Sequence, residues 1–177
     1  MGIVGQIGPW KGHEDLLDAL ALLKKDGHRI NLRIFGVGAP HYTELLKRKV
    51  SDLNLEEYVQ WRGFVSNPRD IYAEFDLCIV PSRSEDPLPT SALEASGFGL
   101  PVIGSSRGGL PEIIEDGITG FIVGAQRPDQ LAQAIKSFLD SPELIKTMGE
   151  AGRKRICVEF SLAGCVARFL RVIEGSQ

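Results

Sequence analysis

The feature that most constrains this 177-residue chain is a regular alternation of short apolar runs with helix-like segments. Residues 2–7, 31–38, 57–63, 76–82, 101–105 and 119–123 read as strands, bounded by glycine, proline or polar turns. Between them, apolar residues recur at helical spacing. Leu16, Leu17, Leu20 and Leu23 give one face of a helix over residues 11–26. Further helices are expected at 42–53, 67–75, 90–98, 129–139 and 142–159, and in a last segment that runs to 173. Asn67 before Pro68, and Ser161 before the last helix, are natural N-caps. The run at 76–82, DLCIVPS, is almost wholly apolar, as suits a strand covered on both faces. Strand–helix alternation predicts βαβ units, hence an α/β fold with a parallel, doubly wound sheet and helices on both faces. No repeat, low-complexity stretch or linker interrupts the pattern, so residues 1–177 read as one domain.

Composition narrows the function. The net charge of −3 argues against a nucleic-acid surface, because phosphate backbones demand a basic excess. Lys47-Arg48-Lys49 and Arg153-Lys154-Arg155 read as solvated helix faces. Cys78, Cys157 and Cys165 form no CxxC pair and are odd in number. That speaks against a disulfide framework or a zinc site, and for a reducing cytoplasm. Cys78 reads as a small core residue. His13, His28 and His41 are scattered, and no metal site is expected. No apolar stretch approaches the length that spans a bilayer. Met1 leads straight into a strand, which reads as an added start codon with an upstream domain missing.

Doubly wound sheets bind ligands beyond the carboxyl ends of their strands. The loops expected there are rich in glycine, hydroxyls and a few charges: residues 6–12, 36–38, 63–66, 83–91 and 105–109. Glycine lets a ligand approach the backbone closely, which suits a phosphate-bearing molecule. Pro89 fits the first turn of a helix. Thr90 and Ser91 would then present unpaired amides to an anion. Glu94 lies one turn on and Asp86 just ahead, so both acids have sugar hydroxyls within reach. Alternatively, they are capping acids. Lys11 follows a glycine turn at Gly8 and stands at a helix start. The helix dipole disfavours a cation there unless an anion is bound. Arg107-Gly108-Gly109 reads as a shape-giving loop, and Trp10 and Trp61 as partly buried packing residues. A dinucleotide-binding oxidoreductase is disfavoured, because Gly5, Gly8 and Gly12 lack the G-x-G-x-x-G spacing.

VGQIGPWKGHEDLLDAL, LRIFGVG, VQWRGFV and DLCIVPSRSEDPLPTSALEASGFGLPVIGSSRGGLPEIIEDGITGFIV stand in the order of a family's motifs. The chain resembles the carboxyl-terminal domain of family-four retaining glycosyltransferases over nearly its whole length. The resemblance implies one Rossmann-like half of a GT-B fold, the half that holds a nucleotide sugar such as a UDP- or GDP-sugar. It implies transfer with retention of configuration, without a bound metal or cofactor. The acceptor would be a glycan, lipid-linked glycan or small molecule held by an absent amino-terminal domain. It follows that the isolated chain is expected to be nearly inactive. Cell-surface polysaccharide assembly is a family-level association, as is peripheral contact with the inner membrane face.

Residue by residue, Glu94 matches the second acid of the family's signature, which binds ribose hydroxyls. Asp86 stands where the first, usually a glutamate, orients the transferred sugar. Lys11 matches the phosphate-binding lysine. The accompanying arginine is replaced by Gln6, which implies an altered donor, a compensating cation such as Arg83 or Arg107, or reduced activity. Backbone near Gly8, Leu88, Thr90 and Ser91 would cradle sugar and phosphates, and Val65 would lie against the base. A degenerate nucleotide-binding or regulatory module and a GT-B-fold sugar-nucleotide epimerase remain alternatives.

Overall fold

The computed structural model describes residues 1–175. It contains six strands: β1 (Gly2–Val4), β2 (Leu32–Phe35), β3 (Val59–Gly63), β4 (Cys78–Val80), β5 (Val102–Ser105) and β6 (Gly120–Val123). Every pairing is parallel, in the order β3-β2-β1-β4-β5-β6. The eight α-helices are α1 (His13–Lys25), α2 (Pro40–Asp52), α3 (Pro68–Tyr72), α4 (Thr90–Gly97), α5 (Leu110–Ile113), α6 (Pro128–Asp140), α7 (Glu143–Glu159) and α8 (Leu162–Glu174).

Alternate residues of the central strands feed two cores, because successive side chains of a strand point to opposite faces. Ile79 and Ile103 join Leu16, Leu17, Leu20 and Leu23 of α1 and Leu131 and Ile135 of α6 on one face. Cys78, Val80 and Val102 join Ile71, Tyr72, Ala92, Ala95 and Leu110 on the other. The sheet is thus covered on both sides, as the apolar run at 76–82 requires. Cys78 is fully buried, and burial raises its thiol pKa to about 12. Asn67 and Ser161 cap α3 and α8 through their side chains. Among the described residues, no helix is long and apolar enough to cross a membrane.

Several elements differ from expectation. The first strand stops at Val4, because Gly5 at φ 141 turns the chain out of the ladder; Ile7 returns only as a bridge to Gly38. Residues 11–26 are not one helix. Pro9–Lys11 form a 3₁₀ turn, Gly12 takes φ 73, and α1 begins at His13. Lys11 therefore stands just outside the helix. Pro89 caps α4 instead of occupying its first turn. Helix α3 stops at Tyr72, ahead of Phe75, and α2 begins at Pro40, a residue suited to a first helical position. Trp10 is 42% exposed, with its ring over Gly8, while Trp61 is half-buried against the first core.

His13 opens α1 at 2% exposure. Neither ring nitrogen has a partner in hydrogen-bonding geometry, although the Gly8 backbone lies near. Burial lowers its pKa from 6.5 to about 4. Below the first value the unfolded chain takes up a proton that the folded chain refuses until the second. The fold should therefore lose up to about 3 kcal/mol from this group across that window. Urea denaturation followed from neutral pH downward should show a shallower loss for His13→Leu than for the native chain.

Candidate functional site

The strand order reverses beside β1, whose neighbours are β2 and β4. Helix α1, which follows β1, and α4, which follows β4, pack on opposite faces of the sheet, the arrangement that opens a crevice at the strand ends. The loops leaving β1 and β4 meet closely. Arg83 N donates to Trp10 O at 2.8 Å. A Cβ on Gly12 would stand 2.0 Å from Pro81 O, so only glycine fits this positive-φ position. The loop after β5 locks onto the same region. Gly109 N donates to Asp86 O at 2.8 Å, and a Cβ on Gly108 would lie 2.1 Å from that oxygen. The β5 loop thus fixes the Asp86 backbone, and the β1 loop fixes the chain just ahead of it.

Across this junction Lys11 Nζ donates to Asp86 Oδ2 at 3.0 Å. The side chains are 22% and 31% exposed. Asp86 Oδ1 accepts a hydrogen bond from Leu88 N at 3.3 Å. An ion pair this open is worth on the order of 1 kcal/mol.

The two arginines proposed to replace a missing cation are otherwise engaged. Arg83 donates two hydrogen bonds to Asp15 and one to Glu14, each at 2.7 Å. These bonds, those to Asp15 foremost, raise its pKa. Arg83 is a strut from the β4 loop to α1 and is not free for a diphosphate. Its fork matches a carboxylate in a way a phosphate would have to undo. Tyr42 donates to the same Glu14 at 3.3 Å; burial first, then that carboxylate, raises its pKa to about 12. Arg107 pairs with exposed Glu85 at 3.3 Å, and Glu85 also accepts from Gly108 N at 2.6 Å.

Helix α4 starts beyond the pair. Thr90 is exposed and Ser91 buried, and their amides belong to the first turn, which has no intrahelical carbonyl to bond. Glu94, exposed one turn on, accepts a hydrogen bond from Tyr72 Oη at 2.9 Å. A cavity of about 480 Å³ is lined by Val4, Gly5, Gln6, Phe35, Gly36, Val65 and neighbours. Gln6 and Val65 therefore share one largely apolar recess. A second recess of about 500 Å³, floored by Trp61, adjoins it across Gly36, Val37 and Gly38. Leu88 is 53% exposed, and Gly8 lies beneath Trp10.

The residues singled out from the sequence thus divide into three places: the recess (Gln6, Val65), the ion pair (Lys11, Asp86) and the start of α4 (Thr90, Ser91, Glu94). Tyr72 and the acids Glu14 and Asp15 were missed. Tyr72 ends a short helix of mixed composition, PRDIY, and no local pattern announces where its hydroxyl points. Among the described residues, no cluster of three or more groups could hold a metal ion.

Residues 1–155 match the family model of glycosyl transferases group 1. A D-inositol 3-phosphate glycosyltransferase of Streptomyces griseus is 33% identical over 156 residues, which span 83% of this chain and 33% of that protein. A GDP-mannose-dependent alpha-(1-6)-phosphatidylinositol monomannoside mannosyltransferase of Mycobacterium tuberculosis is 30% identical over 95% of this chain and 46% of its own. The chain therefore spans a third to just under half of these relatives. The fold is shared with Anabaena HepE, crystallised with UDP-glucose, at TM-score 0.88 and 24% identity over 98% of this chain and 48% of that one.

Proposed function

Because the chain belongs to the group 1 glycosyl transferases, we propose that it holds the sugar donor, a nucleoside-diphosphate sugar, in a transfer to a glycan, lipid-linked or small-molecule acceptor. The observation that carries the reading is the Lys11–Asp86 contact at the strand-order reversal, flanked by the start of α4 and by the apolar recess. A nucleotide sugar has an apolar-faced base, a diol, two phosphates and a polyol, and the crevice offers a match for each.

In this reading the base enters the recess between Gln6 and Val65. Glu94 takes the ribose hydroxyls. The diphosphate lies by Lys11, Gly8 and the α4 amides of Thr90 and Ser91, with Leu88 backbone alongside. Asp86, released from Lys11, orients the transferred sugar. As the glycosidic bond breaks, charge grows on the leaving diphosphate. A lysine and fixed amides stabilise it without having to reorganise. Holding the sugar in one orientation removes a large part of the barrier. Retention of configuration, turnover without a resident metal or cofactor, and an acceptor side on further chain belong to the same proposal. The long relatives bear on the last point, since each has more than half its length outside the region matched.

A second reading, a nucleotide-binding module without turnover, rests on one observation. Gln6 is neutral, and Arg83 is spent on Asp15 and Glu14, so Lys11 carries the phosphate charge without a neighbouring arginine.

Calorimetric titration with UDP, GDP and ADP, beside Glu94→Ala, tests the donor site. One nucleotide should bind, and the variant should bind it tenfold or more weakly, since a hydrogen bond to a charged group is worth about 1.5–3 kcal/mol. Equal affinity of variant and native chain would remove Glu94 from the site.

A further inference from the structure

Glu94 is exposed, and an exposed glutamate ordinarily samples many rotamers. Here its carboxylate meets a partner that does not move. Tyr72 is 3% exposed. Its ring stacks on Phe98 with centroids 5.2 Å apart and meets the edge of Phe75 at 5.8 Å. The hydroxyl lies 2.9 Å from Glu94 Oε2 and 3.3 Å from Ser91 O. A phenol has one proton to give, and the nearer, charged oxygen is the stronger acceptor. The Ser91 carbonyl nevertheless confines the hydroxyl from the other side.

We propose that Tyr72 is a positioning residue for the donor nucleotide: its buried hydroxyl occupies Glu94 Oε2 and so presents the other carboxylate oxygen to the ribose diol. The inference rests on the placement of Glu94 at the ribose made above. Tyr72 itself touches no part of the ligand. It acts by ordering the acid before the nucleotide arrives, so that binding no longer bears the entropy of doing so. A single oxygen held in place then selects for a vicinal diol. With Tyr72 removed, the carboxylate remains but rotates freely, and the selection weakens.

Tyr72→Phe keeps the ring stack and deletes only the hydroxyl. The full chain, this variant and Glu94→Ala are titrated with the nucleoside diphosphate the native chain binds and with its 2′-deoxy counterpart, with thermal unfolding as the check on folding. The native chain should prefer the ribonucleotide by about tenfold. In Tyr72→Phe, ribonucleotide affinity should fall several-fold and that of the deoxynucleotide, which keeps only the 3′-hydroxyl contact, by less, so that the preference shrinks toward that of Glu94→Ala. An equal fall for both nucleotides, or an undiminished preference, would overturn the role of Tyr72 and leave Glu94 at the ribose. A native chain and a Glu94→Ala variant that both ignore the 2′-hydroxyl would overturn the placement of Glu94, and the role of Tyr72 with it.

Discussion

The candidate site depends on one contact, the ion pair between Lys11 and Asp86 across the point where the strand order turns back. The two residues are 75 positions apart and leave different strands. Only the parallel order that sets β1 beside β4 brings them together. The pair is also modest in energy, since both side chains remain partly open to water. A strong, buried pair would have closed the crevice. A weak one holds the two groups in register and leaves the crevice open.

What surrounds the pair is far stiffer. Arg83 ties the β4 loop to the start of α1 through three charge-assisted hydrogen bonds. Gly12 and Gly108 let neighbouring loops approach to distances that any Cβ would forbid. Backbone bonds between residues 83 and 10, and 109 and 86, complete the lacing. The division of labour is physical. Framework contacts saturate the groups that must stay still, and Arg83 is one of them.

Sheet and helices were legible in the sequence because burial imposes periodicity. Leu16, Leu17, Leu20 and Leu23 all face the core they were expected to face. Element ends were less legible, because single backbone angles set them: Gly5 cuts β1 short, and Gly12 separates Lys11 from α1. Lys11, Asp86 and Glu94 stand in motifs and could be picked out by position. Their partners could not. Tyr72, Glu14 and Asp15 reach the site through side-chain directions that depend on tertiary packing, and a one-dimensional pattern carries no record of those. The ties of Arg83 to Glu14 and Asp15 escaped the sequence for the same reason.

In the proposed donor site Asp86 competes with the donor's phosphates for Lys11. Asp86→Asn keeps the side chain's size and its acceptor for the Leu88 amide but removes the competing charge. Measured by calorimetry with a nucleoside diphosphate that carries no sugar, the variant should bind about fivefold more tightly than the native chain, the return of a partly exposed ion pair of about 1 kcal/mol. Unchanged or weaker binding would mean that Lys11 is not the phosphate's partner, and the site would have to be drawn around other residues.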